Sequence, residues 1–104
     1  MKVTRDLVVT NSAGFHLRVA SMISKAASAY DSTDISLAHG SYKADCKSCL
    51  DLLAIMAPCD TKLTLEVDGD KADEIADMIT DMFKNKFWED EFASAKPQTP
   101  VRKK

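Results

Sequence analysis

The chain reads as an α/β protein, a two-layer open-faced sandwich in the order β-α-β-β-α-β-α, and three observations predict it. Residues 61–67, Thr-Lys-Leu-Thr-Leu-Glu-Val, alternate without a break and place Leu63, Leu65 and Val67 on one side. Val19, Met22, Ile23, Ala26, Ala27 and Tyr30 fall at spacings of three and four, the signature of one helix face. Ala72, Ile75, Ile79, Met82 and Phe83 repeat that spacing near the end. Alternating strands leave one sheet face wet, so the helices have to cover the other.

The remaining elements follow in order. Residues 2–10, with Val3, Leu7, Val8 and Val9, predict a first strand, and Asn11-Ser12-Ala13-Gly14 predict the turn after it. Residues 34–38 (Ile35 and Leu37 inward) and 41–45 predict a hairpin closed by His39-Gly40. A second helix is expected from near Ser48 to before Pro58. Ser48 is its N-cap, worth about 1 kcal/mol, and Asp51 completes a capping box. Leu50, Leu53 and Ala57 are read as its buried stripe, with Leu52 or Met56 at the margins. Asp68-Gly69-Asp70 turns the chain into the third helix, whose first turn holds Asp70, Asp73 and Glu74, where the helix dipole favours negative charge. The expected domain is residues 1–87. Residues 88–104 are read as an extension, partly helical through Trp88 and Phe92 and then a disordered basic tail.

Composition narrows the function. The 104 residues carry 14 Lys and Arg against 16 Asp and Glu, a net charge of −2, with 45% hydrophobic residues. That length leaves no room for separate cofactor and substrate domains. The charge balance gives no footprint for nucleic acid, and the three basic residues at the end, Arg102, Lys103 and Lys104, are a weak signal for nucleic acid or membrane. No apolar run approaches the roughly 20 residues of a membrane span. The start, MKVTRDLVVT, has a charge inside its short apolar stretch and is not read as a leader, so a cytoplasmic protein is expected. Three cysteines are too few for a disulfide scaffold. Cys46-Lys47-Ser48-Cys49 is a C-x-x-C to be weighed as a redox or metal motif, with Cys59 and His39 as conceivable further ligands. No second C-x-x-C completes a zinc site, so the cysteines are read as small packing side chains, His39 as a turn residue, and no metal or cofactor is expected.

The chemistry concentrates in Gly14-Phe15-His16-Leu17-Arg18, between the first strand and the first helix. The start of a helix presents amides with no partner inside it and attracts anions, here at Leu17 and Arg18. An imidazole is a nucleophile at neutral pH, and a guanidinium fits phosphate oxygens. A nucleophilic nitrogen, amide donors and a fixed cation within two residues together describe a phosphoryl-acceptor site.

With Asn11-x-x-Gly14-Phe15-His16-x-Arg18, with Lys47-Ser48 after the hairpin, and with this element order, the sequence resembles the HPr family over roughly residues 1 to 85. These are the histidine-containing phosphocarriers of the bacterial phosphotransferase system, whose setting is sugar transport. The resemblance implies four antiparallel strands covered by three helices, with His16 phosphorylated on Nδ1 and Arg18 as the site arginine. It implies an enzyme I-like donor fed by phosphoenolpyruvate and an enzyme IIA-type acceptor. Ser48 corresponds to the serine that an HPr kinase modifies in some lineages. Val19, Cys49, Leu50 and Leu53 are the expected docking patch, on a monomer. The alternative is a regulatory binding protein that keeps the scaffold and signals through Ser48. Phe15, Leu17 and Val19 depart from the usual motif: Leu17 adds bulk beside the ring, and Val19 replaces a proline of the helix start. The family's glycines in the second-helix region are absent too, with Asp51 and Met56 in that stretch.

Overall fold

The cleanest alternation in the sequence becomes the middle of the sheet. In the computed structural model, which describes residues 1–88, strand β4 (Lys62–Gly69) is flanked on both sides. Its neighbours are β1 (Lys2–Val8) and β2 (Thr33–His39), and β3 (Tyr42–Asp45) completes the antiparallel order β1-β4-β2-β3. Register aligns the apolar rows, with Leu7 opposite Leu63 and Leu37 opposite Leu65. All four are buried, because the period of two sends alternate side chains of every strand to the same face.

Helices α1 (Leu17–Ala27), α2 (Cys49–Leu53) and α3 (Ala72–Lys84) cover that face. From α3, Ile75, Ile79, Met82 and Phe83 enter the core, as do Val19, Ile23 and Ala27 from α1. The opposite face stays wet. There Glu66 is bridged by Lys43 at 2.9 Å and by Lys2 at 3.6 Å, and the Lys43 hydrogen bond, followed by the Lys2 charge, holds its carboxyl below the usual carboxylate range.

Five details differ from the sequence expectation. The hairpin pairs His39 with Tyr42, so the two turn residues are Gly40 and Ser41, one step later, with Gly40 at φ +60°. Helix α2 ends at Leu53, because Met56 turns into the left-handed region (φ 49°) and Pro58 disfavours helix just before it. Its buried residues are Leu52 and, just beyond the helix, Ile55 and Ala57, while Leu50 is 79% exposed. Apolar residues at 50, 52, 53, 55 and 56 allow two stripes at helical spacing. Ser48 Oγ accepts from the Asp51 amide at 3.2 Å, and Tyr42 donates its hydroxyl to the Asp51 carbonyl at 2.8 Å. The capping box is half formed: the Asp51 carboxylate accepts from the Asp45 amide, not from Ser48. Finally, α3 begins after a left-handed Lys71, which leaves Asp70 outside the first turn. The expected packing of Phe92 and the tail from 89 to 104 lie outside the described residues.

Cys46 is a core residue. Burial, then the neighbouring Asp45 charge, push its thiol from 9.0 up to about 12. The folded state therefore favours the protonated thiol. That contribution is complete below pH 9 and is lost as pH rises from 9 towards 12.

Replacing Leu65 with Ala empties the middle of the sheet and lowers the unfolding free energy by about 2–5 kcal/mol. Leu50→Ala changes it by less than about 0.5 kcal/mol; urea unfolding at equal m-values measures both. In the same assay the wild-type chain loses about 1 kcal/mol more than Cys46→Ala for each pH unit above 9.

Candidate functional site

The site is a turn wedged against the rest of the fold. Asn11, fully buried, donates from Nδ2 to the Gly14 carbonyl at 2.6 Å, and the Gly14 amide returns to the Asn11 carbonyl at 3.0 Å. Gly14 stands at φ +80°, and a Cβ there would lie 2.9 Å from the Ala57 carbonyl oxygen, so this position requires glycine. Phe15 buries its ring and donates its amide to Ala57 at 2.7 Å. The chain is thereby fixed one residue before the histidine.

His16 is the N-cap of α1. Its backbone is extended (φ −129°, ψ −173°), and its ring nitrogen Nδ1 accepts from the Arg18 amide at 3.3 Å. An acceptor at Nδ1 must hold a lone pair, so this hydrogen bond selects the neutral tautomer protonated at Nε2. The nucleophilic lone pair thus faces the positive end of an eleven-residue helix. Leu17, Arg18 and Val19 open that helix, where no amide has an acceptor four residues back. His16 and Arg18 are both half-buried, which leaves the ring accessible while its setting stays fixed.

Arg18 extends from the same turn. Its Nη1 donates to the Phe87 carbonyl at 2.8 Å and also contacts Met22 Sδ at 3.3 Å. Neither partner was anticipated from sequence. Met22 lies one turn along the helix from Arg18, so its spacing was a usable signal. A main-chain carbonyl 69 positions away leaves none.

The docking residues separate. Val19 is fully buried (0% exposed) and cannot meet a partner: on α1 it points into the core with Ile23, one turn on. Cys49 and Leu53 are half-buried against the core, and Leu50 is open. Two further apolar residues are exposed. Leu17 (60% exposed) lies one turn before Ser21, whose Oγ is 3.9 Å from Cys49 Sγ, and Met56 precedes the Ala57 carbonyl that holds Phe15. Ser48 is half-buried as the cap of α2.

The C-x-x-C residues have unlike surroundings: Cys46 is sealed in the core, and Cys49 is half-buried beside Ser21. A thiol held protonated to about 12 is not a nucleophile at neutral pH, which argues against redox use of the pair. Among the described residues no group of three or more His, Cys, Asp or Glu is placed to hold a metal ion. No helix among them is long and apolar enough to cross a membrane.

Comparison with known proteins agrees with this geometry. The family model PTS-HPr, described as the PTS HPr component phosphorylation site, matches residues 3–85. Phosphocarrier protein HPr of Treponema pallidum is 38% identical over 90 residues, covering 85% of this chain and 99% of that protein. The HPr of Mycoplasma capricolum is 29% identical over 72 residues, 69% of this chain and 80% of its own. Among solved structures, HPr-C-His from Thermoanaerobacter tengcongensis superposes with a TM-score of 0.73 at 23% identity, covering 84% of this chain and 94% of that one. A Mycoplasma histidine-containing phosphocarrier protein gives 0.74 at 25% identity, covering 81% and 96%. The family match spans well over half of the chain, and the Treponema relative is matched along almost its whole length, so the chain belongs to the HPr family of the phosphotransferase system.

Proposed function

We propose that His16 carries the phosphoryl group, receiving it from the phosphohistidine of an enzyme I-like protein fed by phosphoenolpyruvate and passing it to a histidine of an enzyme IIA-like protein. The observation that carries this reading is the Nδ1 lone pair turned to the start of α1, where it accepts from the Arg18 amide. In the first transfer that lone pair forms a new N–P bond as the donor's N–P bond breaks, and the donor ring recovers its electron pair. The Arg18 amide then leaves Nδ1 for a phosphoryl oxygen, joined by the Leu17 amide. Charge stabilisation by this preorganised terminus and by the guanidinium does the work that an acid or base would do elsewhere.

The docking surface in this reading is Leu17, Cys49, Leu50, Leu53 and Met56, the apolar residues of α1, α2 and the turn after it that are not fully buried. Such a small surface suits a carrier that must leave each partner quickly. The carrier acts as a monomer in the cytoplasm. Ser48 gains little as a second phosphosite. Its hydroxyl already caps α2, and the Asp45 and Asp51 carboxylates bond the main chain around it, so a phosphate would meet like charges.

Incubation with enzyme I and labelled phosphoenolpyruvate should give acid-labile phosphate on the wild-type chain and none on His16→Ala. Label surviving that substitution, or acid-stable label, removes His16 from the mechanism. Arg18→Ala lowers the transfer rate by about 100-fold, read by quench-flow; an unchanged rate contradicts its role.

A further inference from the structure

The chain after α3 makes a short 3-10 turn, Lys86–Trp88, that reaches Arg18 of the site. We propose that this turn is a positioning device: through the Phe87 main-chain carbonyl it holds the Arg18 guanidinium in the orientation needed for phosphoryl transfer. The role of Phe87 rests on the reading of His16 as the acceptor.

Three observations carry it. The bond is direct, Arg18 Nη1 to Phe87 oxygen at 2.8 Å, across 69 positions of sequence. The carbonyl is anchored, because the Phe87 ring is fully buried and meets Phe83 of α3 edge-to-face at 4.8 Å. Phe83 is tied in turn to the other end of the site, since its carbonyl accepts from the Thr10 hydroxyl just before the Asn11 turn. And the backbone is unusual: Lys86, Phe87 and Trp88 stand at φ 54°, 52° and 55°, a left-handed run without glycine. Side-chain-bearing residues keep that conformation only where tertiary contacts impose it. Here the tertiary contacts are the Phe87 ring against Phe83 and the Arg18 bond to the Phe87 carbonyl, and within the turn the Trp88 amide donates to the Asn85 carbonyl at 2.8 Å.

The acceptor's chemistry fits the task. A carboxylate in that place would orient the guanidinium but also neutralise it. A carbonyl accepts from one nitrogen of the fork and brings no charge of its own.

The test uses the full 104-residue chain. Trp88→Pro cannot adopt φ near +55° and loses the amide bonded to Asn85, while keeping the Phe87 side chain in the sequence; Trp88→Gly permits the turn and serves as control. With folding checked by circular dichroism, Trp88→Pro should move the Arg18 guanidinium NMR resonance and lower kcat/KM for phosphoryl uptake by about tenfold. Trp88→Gly should keep both. In an Arg18→Lys background, Trp88→Pro should add nothing. A folded Trp88→Pro with wild-type rate, or a tenfold loss that persists beside Arg18→Lys, overturns the proposal. If Trp88→Pro does not fold, Phe87→Leu against Phe87→Ala decides, with Leu expected to keep the rate and Ala to lose it; equal rates overturn it. A wild-type chain that takes no acid-labile phosphate sinks the carrier reading itself. A labelled wild type beside a fully active Trp88→Pro sinks only the role of Phe87.

Discussion

One hydrogen bond organises this molecule's chemistry: the Arg18 amide donating to His16 Nδ1. It makes the histidine a helix cap, fixes the tautomer, and aims the nucleophilic lone pair at the one place where a helix has amides to offer an anion. The surroundings can be understood as supports for that bond. Asn11 closes the preceding turn, Gly14 lets the chain pass under the Ala57 carbonyl, and Phe15 nails the last residue before the ring into the core. The sheet supplies the rigid floor, with α1 anchored on it through Val19, Ala20 and Ile23.

The arrangement also separates what must stay fixed from what must be reached. Ring and arginine are half-buried and held, while Leu17, Leu50 and Met56 are exposed. Val19 is kept for the core, and Leu17 is the exposed apolar residue of the first helix. Exposed side chains of this kind contribute little to stability, so they can vary without unfolding the protein.

Much of this was legible in the chain. The alternation of 61–67 identified the central strand, and the spacings of Ile75, Ile79, Met82 and Phe83 identified the face of α3, because long periodic segments leave one solution. The histidine turn was legible because glycine, histidine and arginine there each answer to a local rule. What was not legible involved competition or distance. In α2 two apolar stripes had equal claims, and the Ser48 cap read from the sequence did not separate them; the Tyr42 hydroxyl, which bonds the Asp51 carbonyl from β3, had no local signal. The hairpin slipped by one residue because His39-Gly40 and Gly40-Ser41 both satisfy a two-residue turn. The Phe87 carbonyl could not be foreseen, since a backbone atom has no sequence signature and the pairing spans most of the domain.

The most direct test is the state of the imidazole before any phosphate arrives. A two-bond proton–nitrogen NMR spectrum of the unphosphorylated protein, at a pH where the ring is neutral, reports which nitrogen of His16 carries the proton. The account predicts a proton on Nε2 and a bare, hydrogen-bonded Nδ1. A ring protonated at Nδ1 would mean that the lone pair faces away from the helix, and the account would be wrong.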